Sequence, residues 1–108
     1  MTIHKVLLLA FTLFMGGCAS LVQSTSVTEA YKKYELQEFE RTLELITRAE
    51  NAKKTTPEMK AELTYLKAQT HESLGQQKIA ETLYEYLVEQ HKDSQYGYLA
   101  SKKLKTTL

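Results

Sequence analysis

The chain has 108 residues, 43% hydrophobic and 25% charged, with a formal net charge of +1 and a single cysteine. That length accommodates one small domain. One cysteine excludes a disulfide framework and a multi-cysteine zinc or iron–sulfur site within one chain, and the near-balance of charge leaves no electrostatic footprint for nucleic acid.

Met1 to Gly17 has the layout of an export signal. Lys5, with His4, supplies a short positive region, Val6 to Met15 is an apolar run with a single hydroxyl, Thr12, and Gly16 and Gly17 follow. Positive charge, apolar run and small residues in that order mark a secretory signal. A spanning helix needs about 20 apolar residues, so this run is too short to cross a membrane. Met15-Gly16-Gly17-Cys18 resembles the lipobox of bacterial lipoproteins, with Met15 where leucine is commonest. The resemblance implies that residues 1–17 are a lipoprotein signal peptide removed on maturation and that Cys18 becomes the acylated first residue, palmitate being an expected acyl group. Anchoring by lipid is physically sufficient, because each buried methylene contributes roughly 0.8 kcal/mol and two or more chains hold a protein stably on a bilayer. Ala19-Ser20 replace the Asp that tends to keep such lipoproteins in the inner membrane, which implies the outer membrane, facing the periplasm. The alternative for the same residues is a buried N-terminal helix and a structural cysteine.

Without residues 1–17 the chain has 108 − 17 = 91 residues, and with Lys5 gone 13 basic side chains balance 13 acidic ones. Gly75, Gly97 and Pro57 are then the only glycines and proline. So few breakers among so many Glu, Lys, Leu, Ala and Gln residues predict an all-α domain over 26–108. Cys18 and a short tether fill 18–25, and the seven residues from Ala19 to Thr25 reach about 25 Å at most.

Five helices are predicted. Ser26-Val27-Thr28-Glu29 reads as a capping box opening the first, which carries Val27, Ala30, Tyr31 and Tyr34 on one face. After a break near Leu36-Gln37-Glu38 the second carries Phe39, Leu43, Ile46 and Ala49, widened by Leu45 and Ala52. Asn51 to Pro57 is a loop ending in a helix start, with Thr56 as cap, Pro57 at the first position and Glu58 near the positive end of the dipole. The third helix has two apolar faces, Met59, Leu63, Leu66 and Thr70 on one, Ala61, Tyr65 and Ala68 on the other. Gly75 ends it. The fourth runs from about Gln77 to His91 with Ile79, Ala80, Leu83, Tyr84 and Leu87 inward. His91 to Ser94 is a turn, Ser94 caps the fifth helix, and Tyr96, Leu99, Ala100 and Leu104 face inward there.

Helices with two apolar faces suit a stack of helix pairs. Aligning Ala30 with Ala68 and Thr42 with Ala80 gives an offset of 38, which pairs Phe39 with Gln77, Leu43 with Glu81, Ile46 with Tyr84 and Ala49 with Leu87, so that only part of the apolar pattern repeats. Residues 61–94 resemble a tetratricopeptide repeat, with Ala68 in its first helix, Leu74-Gly75 at the turn, then Ala80 and Tyr84 in its second. Thr64, His71, Leu87 and Lys92 depart from that pattern. Residues 23–56 resemble a more degenerate unit through Ala30, Phe39, Leu43 and Ala49, its four extra residues falling in the Asn51–Thr56 loop. Asp93 to Leu104 resembles the opening helix of a third. The resemblance implies a short tetratricopeptide-like array of antiparallel helix pairs, about two and a half repeats, with the last helix or a second molecule covering the end, since about three repeats are normally needed. A generic antiparallel bundle has the same secondary structure.

His71 and His91 lie 20 residues apart without cysteine partners and make no metal motif. No nucleophile elbow, zincin motif or phosphate-binding glycine loop occurs. Glu40 with Glu44, and Glu81 with Glu85, read as solvated helix faces. No enzymatic activity, metal or cofactor is therefore expected. Lys102, Lys103 and Lys105 form a small basic tail that reads as a solubilising face of the last helix, with contact to anionic lipid or cell-wall polymer as the alternative. The seven tyrosines stand out, because a phenol buries a ring while its polar tip stays wet. In tetratricopeptide units one face of each first helix lines a concave groove. Carried over by that resemblance, the groove would hold Tyr31, Tyr34 and Glu35, then Tyr65, Gln69 and Glu72, while Tyr84 matches a packing position. The implied role is a scaffold or assembly factor that binds a protein or peptide partner in the cell envelope. The alternatives are a structural homo-oligomer, a pilotin-like factor for secretin assembly, or a small envelope enzyme or ligand carrier.

Overall fold

A computed structural model describes residues 25–52 and 54–107, without the side chain of residue 107. The expected signal peptide at 1–17, Cys18 and the tether up to residue 24 lie outside the described residues. Among those described there are five helices and no strand: α1 through residues 25–35, α2 Phe39–Glu50, α3 Pro57–Ser73, α4 Gln77–Gln90 and α5 Gln95–Thr107. None is long and apolar enough to cross a membrane. The helices pack as pairs, consistent with a small helical repeat array.

The central helix α3 divides two cores. Leu63 and Leu66 pack with Ala30 of α1 and with Leu45, Ile46 and Ala49 of α2. On another side of α3, Ala61 and Ala68 pack with Ala80, Tyr84 and Leu87 of α4 and Ala100 of α5. Small residues let neighbouring backbones approach, and Tyr84, only 1% exposed, fills the space they leave. The two-faced pattern in the α3 sequence therefore has a direct physical use. Buried Thr42 and Thr70 donate their hydroxyls to the carbonyls one turn earlier, Glu38 at 2.9 Å and Leu66 at 2.7 Å, so neither is left unpaired.

The 38-residue offset is visible in the geometry. Ala30 and Ala68, Thr42 and Ala80, Ile46 and Tyr84, and Ala49 and Leu87 are buried in matching pairs. The turn that joins the helices of each pair also repeats. Gln37 N–H donates to the Tyr34 carbonyl and Glu38 N–H to that of Lys33, while Gly75 N–H donates to Glu72 and Gln76 N–H to His71. Both are Schellman turns with a left-handed residue at their centre, Gln37 in one and Gly75 in the other. Neither α2 nor α4 has a side-chain cap, whereas Thr56 accepts from Met59 N–H and Ser94 from Gly97 N–H, as the sequence predicts. A side chain at Gly97 would overlap the carbonyl of His91, which explains a glycine in the first turn of α5.

Four expectations are corrected. Thr25 and Ser26 are already helical and Ser26 is buried, so the tether does not reach 25 and Ser26 is an inward residue within α1, not its cap. Ile79 is 46% exposed, because the stripe Ala80, Tyr84, Leu87 already serves the contacts of α4 with α3 and α5. Lys103 does not stand on a solvated basic face: it turns to Glu72 on α3.

Candidate partner-binding face

α1, α3 and α5 lie side by side. Tyr31 and Tyr34 of α1 reach Glu62 and Ser73 of α3, and Tyr65 and Glu72 of α3 meet Tyr96 and Lys103 of α5. In both cases later residues meet later residues, so the three helices run parallel. The residues involved on α3, Glu62, Tyr65, Gln69 and Glu72, are spaced at three, four and three and form one stripe.

Tyr31 Oη donates to Glu62 Oε1 at 2.8 Å, and Tyr84 Oη donates to Glu72 Oε1 at 2.8 Å. The other oxygen of Glu72 is 3.4 Å from Lys103 Nζ. Tyr34 Oη lies 3.4 Å from Ser73 Oγ, and its ring meets Phe39 edge-on at 5.6 Å. The Tyr65 ring sits between those of Tyr84 and Tyr96, with centroids 5.8 and 5.9 Å away. Tyr31, Tyr34, Tyr65 and Tyr96 are all half-buried.

Burial raises the phenol pKa of Tyr31, Tyr65, Tyr84 and Tyr96 above the usual value. The hydrogen bond to Glu62 adds to this at Tyr31 and the bond to Glu72 at Tyr84, because each phenol must keep its proton to donate it. The charges of Glu62 and Glu58 raise Tyr96 further. These phenols are neutral donors at physiological pH. The arrangement offers rings, hydroxyls and carboxylates for contact.

Of the six residues expected here, five lie on or beside this network. Tyr31, Tyr34, Tyr65 and Glu72 make the contacts just given, and Gln69 is half-buried on the same stripe. Glu35 is exposed on the last turn of α1, and among the described residues no hydrogen bond joins it to the others. Five participants were missed by sequence reasoning: Glu62, Ser73, Tyr96, Lys103 and the hydroxyl of Tyr84. Glu62 had a usable signal, since it lies three residues before Tyr65 on the stripe of Gln69 and Glu72. Lys103 had none, because its pairing depends on how α5 is set against α3.

Several hollows open on the array, among them a shallow one of about 650 Å³ beside the α1–α2 turn. One of about 590 Å³ opens between the start of α3 and the α4–α5 turn, past Glu58, His91, Asp93 and Gln95. Another of about 360 Å³ lies between the end of α2, α3 and α4, against Lys60, Lys67, Leu83 and Tyr86. Among the described residues no group of three or more His, Cys, Asp or Glu side chains is placed to hold a metal ion.

Fold and face together define an all-helical protein of paired helices with a tyrosine-rich surface across α1, α3 and α5. Comparison of the chain with family models, with curated proteins and with solved structures finds no match.

Proposed function

We propose that the chain is an acylated lipoprotein of the bacterial outer membrane whose tetratricopeptide-like array binds a protein partner along the face of α1, α3 and α5. The repeated Schellman turns and the matched small residues at the 38-residue offset support the repeat reading. The observation that carries the binding reading is the row of half-buried tyrosines, Tyr31, Tyr34, Tyr65 and Tyr96, on three neighbouring parallel helices. Phenol rings give large contact areas at small loss of side-chain freedom and keep a polar tip for water or a partner. A groove of this kind takes a helix or extended peptide by burying apolar side chains beside the rings. The role is that of a non-enzymatic scaffold or assembly factor in an envelope machine, held at the membrane through Cys18.

Crosslinking in the native envelope followed by pulldown tests this. Tyr31→Ala, Tyr34→Ala and Tyr65→Ala should each weaken capture of the same partner, whereas Glu85→Ala on the exposed side of α4 should not. Unchanged capture in all three tyrosine variants contradicts the proposal. A second reading, self-association, is favoured by the exposed Ile79, Tyr86 and Tyr98 of α4 and α5. Sedimentation of the purified chain distinguishes it, since a dimer that dissociates on Tyr98→Ser would make the outer surface the interface.

A further inference from the structure

The tyrosine face is not uniform in charge. Where α3 ends, Glu72 accepts a hydrogen bond from Tyr84 and faces Lys103, so its charge is met. Where α3 begins, Glu58, Glu62 and Tyr65 follow one another at helical spacing, and Glu62 is held by a neutral phenol, Tyr31. A phenol orients a carboxylate and leaves its charge in place. Among the described residues the ion pairs engage Glu38, Glu44, Glu50 and Glu72, and neither Glu58 nor Glu62. The positive end of the α3 dipole faces Glu58, whereas Glu62 lies beyond the first turn, where that effect has faded. The adjoining hollow of about 590 Å³ adds Glu89 and Asp93 to Glu58 against one lysine, Lys92.

Resting on the reading of this face as a partner surface, we propose that its α3 N-terminal end receives a lysine- or arginine-bearing segment of the partner, the cation lying between Glu62 and Glu58 beside the rings of Tyr31 and Tyr96. Three features converge on that chemistry. Glu62 is half-buried, so its charge is less screened than a surface carboxylate. A carboxylate has lone pairs beyond the one that Tyr31 uses, and these can accept from an ammonium or guanidinium in a charge-assisted bond. Aromatic faces within about 6 Å attract the same cation through their quadrupoles. An acidic segment would meet the carboxylates unpaired, and a purely apolar one would desolvate them without compensation.

The test is to pan a random dodecapeptide display library on the detergent-solubilised full chain. The enriched peptides are expected to carry more Lys and Arg than Asp and Glu. Their affinity is expected to fall about five- to tenfold on Glu62→Gln, a loss between that of an exposed ion pair and that of a buried charge contact. Glu62→Gln keeps an acceptor for Tyr31 and the same shape, so an unchanged melting curve separates loss of charge from loss of fold. Glu85→Gln should leave affinity unchanged. Neutral or acidic enriched peptides, or cationic ones that bind Glu62→Gln equally well, overturn the cation site. If such peptides still lose affinity on Tyr65→Ala, the groove itself stands and only its charge preference fails. Absence of any enriched peptide overturns both.

Discussion

Gln37 and Gly75 occupy the same position in two copies of one turn, 75 − 37 = 38 residues apart, with φ of 63° and 78°. The second copy uses the residue suited to left-handed backbone, and the first uses one that is strained there by roughly 1–2 kcal/mol. Gln37→Gly should therefore stabilise the fold by about 1 kcal/mol after the extra backbone entropy of glycine is counted, a rise in Tm of roughly 4–8 °C for a domain of this size. Gly75→Ala should lower it by a similar amount, although nothing crowds a Cβ there. Thermal melts of both variants check the pair of signs, and a destabilising Gln37→Gly would mean that its side chain has a role beyond the turn.

The hydroxyl of Tyr84 joins a core ring to the tyrosine face through Glu72. Tyr84→Phe keeps the ring packing and removes one bond to a charged acceptor. It should cost about 1–2 kcal/mol, at the low end of the charged range because Glu72 keeps Lys103. Tyr84→Ala should cost roughly 3–5 kcal/mol through the cavity it leaves among Ala61, Ala68 and Ala80. Denaturant unfolding of the two variants separates bond from packing, and equal losses would remove the hydroxyl from the account.

The raised phenols of Tyr31, Tyr65, Tyr84 and Tyr96 give a pH signature. Below pH 10 folded and unfolded chains both keep these protons and the contribution is constant. Above it the unfolded phenols ionise at their ordinary pKa near 10 while the folded ones hold on. The unfolded chain then binds fewer protons, and stability falls as pH rises through the folded values. Tyrosinate absorbance should show a component that ionises only with unfolding at high pH. A single transition at the ordinary phenol pKa, with the helical circular dichroism intact, would contradict the buried network.

Acylation is tested apart from the fold. Metabolic labelling with palmitate should mark the chain and the label should vanish in Cys18→Ser, since a thiol is needed to accept the lipid. Label retained in that variant would remove the lipobox reading of Met15 to Cys18 without touching the helical array.

Much of the fold was legible because local chemistry sets it. Thr56-Pro57 and Ser94 start helices through hydrogen bonds within one turn, and Leu74-Gly75 ends one through a backbone conformation that glycine favours. The two apolar faces of α3 are a matter of spacing alone, and Leu63 with Leu66, then Ala61 with Ala68, fall in separate cores. What escaped depends on the setting of one helix against another. Glu62 and Lys103 are ordinary charged residues until α1 and α5 are brought beside α3. Ile79 obeys the periodicity of α4 yet faces out, because Ala80, Tyr84 and Leu87 already serve its contacts with α3 and α5. Gln37 hid a left-handed turn because its side chain gives no sign of one. Glu35 sits at the right spacing for the face, but on the last turn of α1 it is exposed.

Gln69 lies half-buried on the α3 stripe between Tyr65 and Glu72, so a photoreactive amino acid placed there in living cells reports directly on what occupies the face. The account expects one discrete adduct with another polypeptide, lost when Tyr65→Ala is added, and no such adduct from the same probe at Glu85 on α4. No adduct at position 69, or the same adduct from position 85, would contradict it.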